Sequence, residues 1–172
     1  SEYPKWLFEP IGTVNIPATT EKFVAKKKLV VNTEHTSSVK IRHIDNSFEE
    51  LFLWGDGKTE DTITKQILHY AKLRKLSVDD HIIAELGGET KVETTLTEMY
   101  FLMEQQPNGE DGKLLTNGGM NIFYIRGIES VLCSVFILWF SAAGADAGWC
   151  IYAKSLSDGG WGAGPQIFSR NF

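Results

Sequence analysis

Val131-Leu-Cys-Ser-Val-Phe-Ile-Leu-Trp-Phe140 is apolar at every position except Ser134. Read as a strand, it places Val131, Cys133, Val135, Ile137 and Trp139 on one face and Leu132, Phe136, Leu138 and Phe140 on the other. A strand apolar on both faces belongs in the middle of a sheet. The run is only about half of the ~20 residues that a membrane-spanning helix needs, so no span is expected. Further strand patterns surround it at residues 120–126, 149–156 and 166–170. The connections are short and rich in glycine, as at Gly127-Ile128-Glu129 and Gly159-Gly160. Short connections predict antiparallel neighbours, hence a C-terminal meander of three to four strands.

Upstream, Pro4, Pro10 and Pro17 make residues 1–22 read as an irregular arm, anchored by Trp6, Leu7 and Phe8. Residues 23–31 and 39–44 predict an N-terminal hairpin around the polar loop 32–38, and Val39, Ile41 and His43 alternate with Lys40, Arg42 and Ile44. The middle third predicts helices. Ile63, Ile67, Tyr70 and Leu73 recur at helical spacing, with Glu60 and Asp61 in the first turn and Arg74 and Lys75 in the last. Ser77 caps a second helix with Val78, Ile82 and Leu86 on one face, and Gly87-Gly88 stops it. Thr90 and Glu93 fit a capping box for a third, carrying Val92, Leu96, Met99 and Met103. The expected fold is one α+β domain over residues 1–172. Its antiparallel sheet comprises the C-terminal meander and the N-terminal hairpin, covered by about three central helices.

The 172 residues carry 17 basic and 22 acidic side chains, a formal charge of -5. That balance argues against a nucleic-acid partner, because phosphate binding draws on a basic excess. The charge is unevenly spread: residues 1–58 hold 8 basic and 8 acidic residues, residues 59–111 hold 5 and 11, and residues 112–172 hold 4 and 3. An acidic helical third suits docking to a basic protein partner. Cys133 and Cys150 have no metal-ligand spacing and read as free, buried thiols. With no basic and apolar leader at the start, a cytoplasmic location is expected.

Signatures of catalysis are sparse. The four histidines form no HxH or HExxH pattern, so no metal site is expected. Gly55-Asp56-Gly57-Lys58-Thr59 mimics the end of a phosphate-binding loop, but Phe52 stands where the upstream glycine belongs. There is no GxSxG elbow and no dinucleotide fingerprint, so no cofactor is expected. The expected function is therefore a non-enzymatic binding module. The alternative is a small-ligand or carbohydrate-type protein using the C-terminal aromatic and glycine loops. Its candidate site residues are Trp149, Trp161, Arg170, His43 and Asp45. Trp54, beside Gly55, reads equally as a second exposed aromatic or as a core anchor.

Overall fold

The computed structural model describes residues 7–156 and 159–170. The expected anchor Trp6 therefore lies outside the described residues. In chain order the strands are β1 (Phe8–Ile16), β2 (Phe23–Val24), β3 (Ile41–Ile44), β4 (Thr59–Glu60), β5 (Gln66–Leu73) and β6 (Ser77–Val78). They continue with β7 (Glu93–Thr94), β8 (Asn121–Arg126), β9 (Leu132–Phe140), β10 (Gly148–Ser155), β11 (Gly160–Trp161) and β12 (Gln166–Ser169). The helices are α1 (Ala25–Lys28), α2 (Asn46–Phe48), which runs into a π-helical turn at Glu49–Leu53, α3 (Asp79–Glu85), α4 (Glu89–Val92) and α5 (Leu96–Glu104).

An eight-stranded mixed sheet organises the chain in the order β1-β5-β12-β8-β9-β10-β3, with β7 also paired to β8. β8, β9 and β10 form the expected antiparallel meander, with β9 in the interior. Three pairs are parallel: β12 with β8, β7 with β8 and β10 with β3. Helices lie on both faces. One core packs α5, Phe48 and Phe52 against Phe123, Val135, Trp149 and Phe168. The other packs Ile82, Leu86 and Val92 against Phe8, Ala71, Ile122 and Ile167.

This overturns the expected antiparallel sheet beneath three central helices. Residues 66–73 are strand β5, not helix. Leu68 and Tyr70 enter one core while Ala71 and Leu73 enter the other. A strand buried on both sides supplies apolar residues on both parities, and some of them fall at helical spacing by coincidence. Ile67, a member of the supposed helical stripe, is 52% exposed. The N-terminal hairpin is also absent: β3 pairs in parallel with β10, and its contact with the upstream chain is the bridge Asn32↔Ile41. The supposed irregular arm contains β1, which tolerates Pro10 because it is an edge strand with a register shift at Pro10/Gly12. Nor does β12 continue the meander; it lies between β5 and β8.

Two helical expectations survive in altered form. Gly87 and Gly88, both at φ 101°, terminate α3, which begins at Asp79 after Ser77 has joined β6. The capping box belongs to Thr95 and Glu98, one threonine-to-glutamate repeat later than Thr90 and Glu93. Val92 and Leu96 sit in different cores, so one uninterrupted helix cannot serve both. The chain instead crosses between faces through β7, which pairs with Tyr124 and Ile125 just past the end of β12 at Phe123.

Candidate functional site

The five residues singled out in the sequence do not share one cavity. Trp149 is fully buried, edge-on to Trp139 at 5.4 Å, and its indole N–H donates to the Gln106 carbonyl at 3.0 Å. Arg170 is locked to the fully buried carboxylate of Glu98 by contacts of 2.7 and 2.9 Å, and it also donates to Gln66 Oε1 at 3.0 Å. Trp161 lies in the opposite core, where its indole N–H donates to Asp79 Oδ1 at 2.7 Å. Asp45 caps α2 by accepting from the Ser47 N–H at 3.3 Å. His43 is exposed on β3 and lines an open depression of ≈ 530 Å³ with Arg42 and Asp146.

His43 and Trp161 do belong to one aromatic row. Trp161 meets Phe136 edge-on at 5.1 Å, Phe136 stacks on Tyr152 at 5.0 Å, and Tyr152 faces His43 at 5.5 Å. Phe136 and Tyr152 are paired across β9 and β10, and their parallel, offset rings each cover part of one face of the other. Beside them, Arg42 reaches across Gly148 to lie 4.0 Å from the Phe140 ring centre. A Cβ on Gly148 would sit 2.9 Å from the Arg42 backbone nitrogen.

Part of the charge asymmetry along the sequence is offset in space. Cations from the other two thirds meet five acids of the middle third. Lys58 pairs with Glu60, Lys22 with Asp61, Arg126 with Glu89 and Glu93, and Arg170 with Glu98. Glu60 further accepts from the N–H groups of Leu96 and Thr97 at 2.9 and 2.8 Å, at the positive end of α5. Of these carboxylates, Glu60 and Glu98 are buried and tie distant segments together.

Three of the exposed large apolar side chains, Trp54, Ile128 and Val131, line one cleft. Phe48 and Phe52 stack at 4.7 Å in the core, and the π-helical turn between them ends at Trp54, which is 65% exposed. Such turns occur mostly as single insertions, often at functional sites. The β8–β9 connection forms the facing wall. Its Ile128 N–H donates to the Leu51 carbonyl at 2.9 Å, and Gly127 is required there because a Cβ would stand 2.6 Å from that same oxygen. Ser130 holds φ 62°, the one positive value among the described non-glycine residues, and Arg126 secures its carbonyl at 3.0 Å. Between the walls is a cleft of ≈ 280 Å³ lined by Leu51, Trp54, Ile128, Val131 and Cys133, with Glu50 and Glu129 as its charged residues.

Ile128 is 38% and Val131 59% exposed, so three large apolar side chains face solvent in one place. Burial pushes the Cys133 thiol above its ordinary pKa, and its Sγ lies 3.4 Å from the Val131 carbonyl. Burial thus disfavours the thiolate, the nucleophilic form of this cysteine. Trp54 was legible in the sequence as an aromatic beside a glycine turn. Ile128 and Val131 were not, because their partners across the cleft are about 75 residues away in sequence. No protein-family model, curated protein or solved structure matches the chain.

Proposed function

We propose that this protein is a non-enzymatic interaction module that takes a basic, partly apolar segment of a protein partner into the Trp54 cleft. The carrying observation is the exposed trio of Trp54, Ile128 and Val131 on a hydrogen-bonded frame, with Glu50 and Glu129 at the cleft. Tryptophan is enriched among the residues that anchor protein interfaces. The two carboxylates favour a lysine or arginine beside the apolar anchor and would speed encounter. A protein partner rather than a nucleic acid agrees with the formal charge of -5. The free thiols Cys133 and Cys150 agree with a reducing compartment such as the cytoplasm. The small-ligand alternative at Trp149, Trp161, Arg170, His43 and Asp45 has less support, since those residues do not line one common cavity.

A peptide library displayed on phage and panned against the wild-type protein tests this directly. Enriched peptides should combine lysine or arginine with a large apolar residue and quench Trp54 fluorescence. They should lose affinity at least about 30-fold with Trp54→Ala, the scale of a 2 kcal/mol anchor. Glu50→Lys with Glu129→Lys should weaken them further at low salt than at high salt. Peptides that bind wild type and Trp54→Ala equally, or that carry no basic residue, would defeat the proposal.

A further inference from the structure

A second cavity, of ≈ 300 Å³, lies between residues 16–23 and helix α5. Its apolar wall is Pro17, Phe23, Tyr100 and Phe101, with Phe23 and Tyr100 in ring contact at 5.6 Å. Both sides are fixed in place. The Thr19 N–H donates to the Ile63 carbonyl at 3.0 Å, and the Ile63 N–H donates to Thr19 Oγ1 at 2.9 Å. The start of α5 is secured by Glu60 through Leu96 and Thr97. This groove is therefore formed before any ligand arrives, which lowers the cost of binding.

Its charges are arranged unusually. Lys28 lies over the Tyr100 ring at 5.8 Å from the ring centre, and Glu104 lines the same groove. The two feel each other: desolvation raises the Glu104 carboxyl above the ordinary value, and the Lys28 charge opposes that rise. They nevertheless form no ion pair among the described residues. Of the other charged residues at the groove, Glu21 and Lys22, the lysine is turned to Asp61 at 3.6 Å. A cation and an anion thus flank an aromatic wall without pairing with each other.

We propose that this groove binds a small zwitterion with an apolar side chain, the chemistry of a free amino acid. Its carboxylate would meet Lys28, its ammonium Glu104, and its side chain the wall of Phe23, Tyr100 and Phe101. The site is independent of the Trp54 cleft and stands or falls separately.

Titration calorimetry with L-phenylalanine as the probe tests it. Saturable one-site binding is expected. 3-Phenylpropionate, which lacks the ammonium, and 2-phenylethylamine, which lacks the carboxylate, should each bind about tenfold more weakly. Lys28→Met and Glu104→Gln should each cost about tenfold with an unchanged unfolding midpoint, since both side chains are exposed. Trp54→Ala should leave the titration unaltered. The assignment is overturned by an absence of saturable binding at millimolar probe, by either analogue binding as tightly as L-phenylalanine, or by variants that bind as wild type does.

Discussion

Replacing Arg170 with methionine removes the cation that faces Glu98 while keeping most of the side-chain volume. Glu98 is 0% exposed, and the Arg170 side chain is 28% exposed. Breaking a buried pair by deleting one partner costs about 3–5 kcal/mol, because the remaining charge is stranded. The Thr95 N–H and hydroxyl still reach Glu98 Oε1 at 3.0 and 2.9 Å, and Arg170 is partly solvated, so the lower end applies, about 3 kcal/mol at neutral pH. For a domain of this size that is a fall in melting temperature of about 6–12 °C.

The pH dependence is the sharper part of this prediction. Desolvation already raises the Glu98 pKa above the ordinary glutamate value, and the Arg170 charge is the largest of the effects that oppose it. In Arg170→Met the folded-state pKa rises further, while the unfolded value does not change. A carboxyl with a raised folded pKa carries no penalty below the unfolded pKa and a growing one as pH rises through the folded pKa. The loss should therefore shrink to about 1 kcal/mol near pH 4, where only hydrogen bonds have been given up. Urea denaturation followed by tryptophan fluorescence near pH 7.5 and pH 4 measures both values. Adding Glu98→Gln should recover most of the neutral-pH loss, since no stranded charge is left. An equal loss at both pH values, or a larger one in acid, would refute the reasoning.

Asp79 should behave as a hydrogen-bond hub, because its Oδ1 accepts from Tyr124 and Trp161 at 2.7 Å each while its Oδ2 has no partner among the described residues. Asp79→Ala strands two buried donors and should cost about 2–4 kcal/mol with a changed near-ultraviolet circular dichroism spectrum. Asp79→Asn keeps the acceptor and should cost less than half as much. Gly109→Ala should cost about 2–4 kcal/mol in urea denaturation, since its φ is 73° and the new Cβ would stand 2.2 Å from the Trp139 ring. Gly144→Ala, at φ 78° with nothing within 4 Å, isolates the backbone contribution and should cost only about 1 kcal/mol.

The strands of the meander were legible because β8, β9 and β10 carry mostly apolar and aromatic runs between glycine-containing turns. The glycine stop of α3 was legible for a local reason, the positive φ that Gly87 and Gly88 adopt. β5 was misread because burial on both sides destroys the alternation that marks a strand. Two threonine-to-glutamate capping boxes compete within residues 90–98, and local chemistry favours neither. Thr95 and Glu98 prevail because Leu96, Met99 and Met103 fill one core while Val92 fills the other. Similarly, Trp149 and Arg170 look like ligand-binding residues in one dimension. Their partners, Gln106 and Glu98, lie 43 and 72 residues away and turn them into structural groups.

The sequence by itself determined that β9 is an interior strand, that β8–β10 form a meander, and that Trp54 beside a glycine turn is a candidate surface aromatic. These are properties of neighbours within a few residues, where periodicity and backbone preference act. Only the tertiary structure decided that β12 and β3 pair in parallel, that five acids of the middle third pair with Lys22, Lys58, Arg126 and Arg170, and that Leu51 meets Ile128 to make a cleft under Trp54. Each of these depends on contacts between residues distant in the chain. Coulomb attraction, strand pairing and packing act through space, and no local pattern records where distant segments will meet.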